Sequence, residues 1–266
     1  MPECEVNGLN LYYEDRGNID SPPLLLIPGL GGNHMSWSLV ARYLTSDFRL
    51  ILVDPRDAGK SDKARTPYAI TDVAEDMAVV IRDAGIKWTA VAGISMGGAI
   101  AQELAMRHPD LVERLVLVAT YDTDDLRGTF IFEHLAHLRR TLCREDYIRT
   151  LLPWVYTWQE MQGSIDPEAA VQRLAEDPYF QTPEAHERQM RATVSFHSRD
   201  RLHRIQCPTS LIFGDEDLFT PMRFARSLQQ GIKGSRLTVL SGTGHGLIWT
   251  RAAEVAGLLR SFLREE

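Results

Sequence analysis

Thr89-Ala90-Val91-Ala92-Gly93-Ile94-Ser95-Met96-Gly97-Gly98 runs from an apolar segment through a glycine-flanked serine into a helix-forming stretch. Strand, sharp turn and helix form the context in which a serine hydroxyl becomes a nucleophile. The reason is steric. Glycines two before and two after Ser95 remove side chains that would collide in so tight a turn. Ser95 can then stand clear of the sheet in a strained backbone conformation. The same turn points the first amides of the following helix, that of Met96 foremost, at the place where negative charge develops. Gly-x-Ser-x-Gly alone recurs by accident at ordinary glycine and serine contents. The apolar residues before it and the helix after it give it weight.

Similar short apolar runs lie at residues 24–27, 49–53, 115–118, 210–213 and 237–240. They are too short for helices and too continuous for one-sided strands, so they predict strands buried on both faces. Helical patterns separate them. Val73, Met77, Val80, Ile81 and Ala84 share one face, and Ala252, Val255, Leu258, Leu259 and Phe262 share another. Asp72 and Glu75 have the spacing of a capping box. Near the N-terminus, Asn7-Gly8 between residues 4–6 and 9–13 signals a hairpin. The expected fold is α/β: a mostly parallel central sheet with helices on both faces and antiparallel strands at one edge.

Between residues 121 and 204 the alternation stops. Residues 130–142, 145–161, 167–176 and 183–196 read as helices without strands, with Pro153, Pro167, Pro178 and Pro183 marking turns or helix starts. Residues 121–204 are therefore expected to form a helical cap inserted into a core of residues 1–120 and 205–266. Its expected place is over the carboxyl ends of the strands, where ligands bind in open α/β sheets.

A serine nucleophile needs a base, and the base needs an orienting carboxylate. His245, in Gly242-Thr243-Gly244-His245-Gly246, follows the last predicted strand. Glycines on both sides suggest a backbone that turns tightly and leaves the imidazole accessible. The chain holds eight histidines, so position and loop composition single this one out. Asp217 is the preferred acid, in the loop Gly214-Asp215-Glu216-Asp217-Leu218-Phe219-Thr220-Pro221. Asp215 and Glu216 are close rivals, and Asp122 or Asp124 is a second possible location. The order Ser, Asp, His along the chain fits this type of site. For the oxyanion hole, the amide of Met96 is joined by one from Pro28-Gly29-Leu30-Gly31-Gly32, with Leu30 preferred. A plain glycine-rich turn competes with that reading. A phosphate loop does not, because neither the dinucleotide nor the Walker pattern is present.

Composition narrows the remaining classes. A formal charge of −7 with no Lys/Arg block argues against a nucleic-acid surface. The N-terminal residues lack the basic start and apolar stretch of a signal peptide, and no apolar run reaches about 18 residues. Cys4, Cys143 and Cys207 give neither a disulfide framework nor metal-ligand spacing. A cytoplasmic protein acting on a small molecule, without metal or organic cofactor, membrane or nucleic-acid partner, is expected. Monomer and homodimer both stay open.

These residues together resemble the α/β-hydrolase superfamily over nearly the whole chain. The resemblance rests on the elbow and on the loop Ile27-Pro28-Gly29-Leu30-Gly31-Gly32 after an early strand. It also rests on Asp54-Pro55-Arg56-Asp57-Ala58-Gly59-Lys60-Ser61, the acidic loop ending at Pro221, and Gly244-His245. Pro28 stands where the family usually has His, and Asp57 where it usually has Gly; the sequence gives no reason for the latter. Gly-Ile-Ser-Met-Gly-Gly and the Ala-Met-Arg-His-Pro-Asp segment after it look most like small esterases and enol-lactone hydrolases. The resemblance implies ester or lactone hydrolysis through Ser95, Asp217 and His245. Haloalkane dehalogenases and epoxide hydrolases use Asp where Ser95 stands. Gly29, His34, Trp37, Trp154 and Trp158 are the expected substrate contacts, with further cap aromatics behind them, and favour an uncharged substrate. One alternative is a C–C hydrolase or lyase of the meta-cleavage type, for which Arg188 or Arg191 would face the pocket. The other is a weakly catalytic ligand receptor on the same fold.

Overall fold

The strands among the described residues are β1 (Glu3–Val6), β2 (Leu9–Arg16), β3 (Pro23–Ile27), β4 (Arg49–Val53), β5 (Thr89–Ile94), β6 (Val112–Val118), β7 (Thr209–Gly214) and β8 (Arg236–Leu240). They form one sheet in the order β1-β2-β4-β3-β5-β6-β7-β8 in the computed structural model, which describes residues 3–123, 125–163 and 165–265. β1 and β2 pair antiparallel across Asn7 and Gly8, whose φ values of 51° and 76° suit the tight hairpin turn. β2 also runs antiparallel to β4, and every pairing from β4 to β8 is parallel.

The apolar runs have a simple cause. Successive side chains point to opposite faces of a strand, and both faces here are covered. Leu25, Ile27, Ile51, Val53, Val91, Leu115, Leu117, Leu211 and Phe213 belong to one core. Their neighbours Leu24, Leu26, Leu50, Leu52, Ala92, Val116, Val118 and Ile212 belong to the other. The helices are α1 (Ser38–Leu44), α2 (Ile70–Asp83), α3 (Met96–Arg107), α4 (Leu126–Thr141), α5 (Arg144–Val155) and α6 (Trp158–Gly163). They continue with α7 (Pro167–Ala175), α8 (Pro183–Val194), α9 (Met222–Gly231), α10 (Leu247–Thr250) and α11 (Ala252–Leu263). Buried residues of α2, α3 and α9 fill the first core, and those of α1, α10 and α11 the second.

Three local expectations need correction. Asp72 is not the N-cap of α2. The helix begins two residues earlier, and the Asp72 carboxylate accepts the Ala69 amide at 2.8 Å, while Glu75 pairs with Arg107 and His108. The single helix expected over residues 145–161 is two, because Tyr156 is extended (φ −116°, ψ 145°) between α5 and α6. Pro153 lies inside α5 rather than at a turn. It sits in the last turn, where a proline costs one hydrogen bond and not a whole helix.

Helices α4 to α8 fill the stretch between β6 and β7, with one isolated antiparallel bridge, Thr123 to His197. Of these, α4, α5, α6 and α8 are bonded to loops that follow the carboxyl ends of the parallel strands. The strongest tie explains Asp57. Its φ of 71° lies in the left-handed region that glycine prefers, which is why Gly is common in such a loop. Here the buried Asp57 carboxylate makes a two-pronged ion pair with Arg188 of α8 at 2.6 and 2.9 Å and accepts the Ala64 amide. Its carbonyl accepts from Gln181. Asp57→Gly keeps the backbone conformation and removes the carboxylate, and with it the Arg188 pair and the acceptor of the Ala64 amide. That variant is expected to lose about 2 kcal/mol, less than the usual cost of breaking a fully buried pair because Arg188 keeps a wet edge. Urea titration of the two proteins checks it; equal midpoints would show that the pair does not fasten α8 to the core.

No helix among the described residues is long and apolar enough to cross a membrane.

Candidate active site

The elbow between β5 and α3 is built by close approach. A Cβ on Gly93 would overlap the Gly97 carbonyl, and one on Gly97 would overlap those of Ile27 and Pro28. Ser95 sits between them at φ 55° and ψ −121°, a conformation costing a non-glycine residue on the order of 1–3 kcal/mol. Neighbours hold it there. The Ser95 amide donates to Val118 O at 3.0 Å, and Ser95 O accepts from Thr120 Oγ1 at 2.6 Å. The N-terminus of α3 begins at the next residue, adding its partial positive charge.

The loop after β3 lies against the serine. A Cβ on Gly29 would stand 3.2 Å from Ser95 Cβ and 3.8 Å from its Oγ. In this loop Gly32 N donates to Gly29 O and Gly31 N to Gln189 Oε1 of α8 at 2.9 Å. The amides of Leu30 and Met96 donate to no acceptor among the described residues. Two unspent donors beside the elbow are what an oxyanion needs. Gln189 is buried and also donates to Arg56 O, so it ties the loop after β3 to the loop after β4.

After β7, the buried Asp217 carboxylate accepts four hydrogen bonds. Oδ1 takes the amides of Phe219 and Thr220 at 2.8 Å each, while Oδ2 takes Thr220 Oγ1 at 2.5 Å and His245 Nδ1 at 2.7 Å. Burial alone would raise its pKa. The opposing charge of His245 and the hydrogen bonds from His245 and Thr220 outweigh it and hold the carboxyl below its usual range. The rival acids go elsewhere. Asp215 accepts Gly242 N and Ser241 Oγ, and Glu216 is exposed. Asp122 is committed to Arg199 and Ser227, and Asp124 lies outside the described residues.

His245 Nε2 is bonded by no described residue, and no hydrogen bond joins the ring to Ser95 Oγ. Such contacts are commonly loose until substrate arrives. The glycines flanking His245 have a different cause from the one expected. Neither has a positive φ. A Cβ on Gly244 would come 2.6 Å from Val155 O, and one on Gly246 2.5 Å from the Tyr156 ring. They are small because residues 155–157 press against the loop.

The expected substrate contacts divide. Trp154 stacks on Phe219 with ring centroids 5.9 Å apart, Phe132 also stacks on Phe219 at 5.7 Å, and Phe219 meets the His245 ring edge-on at 5.3 Å. This half-buried aromatic row beside His245 was only partly anticipated, since Phe219 has no sequence signal beyond following Asp217. Gly29 lies at the serine, as described. Trp37 is 1% exposed, packs in the core behind the sheet and donates to Ile27 O. Trp158 is 64% exposed on α6. His34 is buried between Asp54, at 2.9 and 3.0 Å from Nδ1, and Tyr12 and Tyr179. The short helical turn His34–Trp37 after Gly32 carries Trp37 into the core and His34 onto Asp54. Arg188 is taken by Asp57 and Arg191 by Glu187. Among the described residues no group of three His, Cys, Asp or Glu side chains is placed to hold a metal ion.

A family model of the alpha/beta hydrolase fold matches residues 22–252. The chain belongs to that family, and its activity falls within the hydrolases. It is similar to a protein of Azorhizobium caulinodans provisionally named carbamate hydrolase RutD, at 29% identity over 92% of this chain and 91% of that one. Its fold matches the crystal structure of the enol-lactonase from Burkholderia xenovorans with a TM-score of 0.90 and 26% identity, over 99% of this chain and 100% of the other. An alpha/beta hydrolase from a deep-sea metagenome library superposes with a TM-score of 0.93 over 100% and 98% of the two chains. At 20% identity it speaks for the fold alone.

Proposed function

We propose that the protein hydrolyses uncharged carboxylic esters or lactones, with residues 121–204 as a cap over the site. The 2.7 Å contact between Asp217 and His245, with Nε2 left unbonded, carries this reading. In it, His245 Nε2 takes the Ser95 proton as Oγ bonds to the substrate carbonyl carbon. The oxyanion is received by the amides of Leu30 and Met96, each worth about 3–4 kcal/mol in such sites. The bond to the leaving oxygen then breaks, and His245 returns the proton to it. Water next gives a proton to Nε2 and its oxygen to the acyl carbon. The Ser95 ester bond breaks, and Oγ recovers its proton.

The aromatic row of Trp154, Phe219 and Phe132 beside His245 favours an apolar or ring-containing substrate. The likeness to an enol-lactonase supports a cyclic ester, and the name of the Azorhizobium relative adds carbamates as a neighbouring carbonyl class. Arg188 and Arg191 are both engaged with acidic residues, which weighs against the C–C hydrolase alternative and its carboxylate-bearing substrates.

Initial rates on p-nitrophenyl butyrate and benzoate, an aromatic enol-lactone, a p-nitrophenyl carbamate and the p-nitrophenyl monoester of succinate test the assignment. Uncharged esters or lactones are expected to exceed the succinate ester in kcat/KM by about tenfold or more, because a buried carboxylate would lack a partner. Preference for the succinate ester would contradict the substrate reading.

A further inference from the structure

Glu160, in α6, is 6% exposed and far in sequence from every residue discussed as reacting. Its local role is plain. Thr157 N donates to Glu160 Oε2 at 2.8 Å and Glu160 N to Thr157 Oγ1 at 3.2 Å, a capping box that starts the helix. A capping box needs nothing more, yet this side chain reaches further. The same Oε2 accepts the amide of Gly244, directly before His245, at 3.2 Å. Oε1 accepts Thr250 Oγ1 at 2.6 Å, at the end of α10, which follows the histidine loop. On the other side of His245, Gly246 N donates to Val155 O at 3.1 Å. The two flanking glycines, tight against Val155 and Tyr156, permit that closeness.

We propose that Glu160 is a positioning residue for His245: its side chain fixes the histidine loop from the cap, so that the imidazole stays both on Asp217 and aimed at the substrate. The inference rests on His245 being the general base. It makes the Glu160 side chain, with the Val155 carbonyl, a fixed part of the site rather than a loose cover. A carboxyl group suits the task because one oxygen accepts two amides at once. Glutamine would keep that acceptor and turn its NH₂ toward Thr250 Oγ1, whose hydroxyl would then donate to Gly246 O, 3.4 Å away.

The test is steady-state kinetics on the best substrate of the panel, with thermal midpoints recorded so that each variant is assayed while folded. Glu160→Ala is expected to lower kcat roughly 10- to 100-fold with KM nearly unchanged, as for a small displacement of a catalytic group. Glu160→Gln is expected to stay within about threefold of wild type, the scale of one altered hydrogen bond. Thr157→Ala removes the other half of the capping box and should lower the midpoint while leaving kcat in place. If Glu160→Ala does not fold, Gly244→Ala, which pushes the loop off Val155 and Glu160, is expected to show the same loss in kcat. Wild-type kcat in Glu160→Ala, or in Gly244→Ala, would overturn the inference. So would Thr157→Ala or Glu160→Gln as impaired as Glu160→Ala. An inactive wild type that no serine-directed probe labels would instead defeat the assignment of His245 and Ser95 itself.

Discussion

Ser95→Ala lowers kcat by about 10⁵- to 10⁶-fold, the loss seen when a serine nucleophile is removed from a site of this kind. The change deletes one oxygen. Ala keeps the Cβ, so the φ of 55° and the bonds from Ser95 N to Val118 and from Thr120 to Ser95 O are all retained. The fold is therefore expected to persist, with a thermal midpoint close to that of wild type. The amides proposed to receive the oxyanion also persist, so a small residual rate above water is expected. Turnover measured beside the melting curve separates a lost nucleophile from a lost fold. Retention of more than about a tenth of kcat would remove Ser95 from the mechanism, because no nucleophile can be lost at so small a cost.

Asp217→Asn is expected to cost about 10⁴-fold in kcat, although it changes the shape of the side chain hardly at all. Asp217 only accepts hydrogen bonds, and so it compels His245 to carry its proton on Nδ1 and keep Nε2 for the serine. An amide nitrogen in the place of Oδ2 would donate to Nδ1 instead, and the proton would move to Nε2. The base would then be present in the wrong tautomer. The pH dependence has a definite sign. The carboxyl is held below its usual range by His245 and Thr220 against the effect of burial. Its contribution to stability is full above the ordinary carboxylate pKa and fades as the pH falls toward the lowered native value. Asp217→Asn should be less stable than wild type at neutral pH, and the gap should shrink in acid. A gap constant down to pH 2 would mean that the pairing is not what stabilises this loop.

The fold and the sharp turn that holds Ser95 were legible because each rests on local chemistry. Runs such as residues 24–27 and 49–53 declare strands covered on both faces, and glycines at 93 and 97 leave few uses for a serine between them. Asp217 was legible as the preferred one of three acids in a loop, but spacing does not show which carboxylate turns inward. In the fold Thr220 holds Asp217 inward by donating its amide and its hydroxyl to that carboxylate. The glycines around His245 were legible, but the crowding that requires them was not, because it comes from residues 155–157, nearly ninety positions earlier. Asp57 was an unexplained departure until Arg188 appeared opposite it, 131 residues away. Gln189 against Gly31 and Glu160 against Gly244 belong to the same class, separated by 158 and 84 residues. Patterns of polarity along a chain do not encode such partners; they exist only once α6 and α8 are folded against the loops after β3, β4 and β8. Trp37 and Trp158 show the reverse error, where an aromatic residue near the right loop was packed away or left in solvent.

The central claim is that Ser95 is an activated nucleophile, and reaction with a fluorophosphonate followed by peptide mass spectrometry tests it most directly. The account predicts a single phosphonyl adduct on the peptide carrying Ser95, formed rapidly in wild type, slowly in Asp217→Asn and not at all in Ser95→Ala. Labelling with little ester turnover would keep the nucleophile and shift the substrate toward the C–C or receptor alternatives. An unlabelled wild-type protein, or an adduct that persists in Ser95→Ala, would contradict the account.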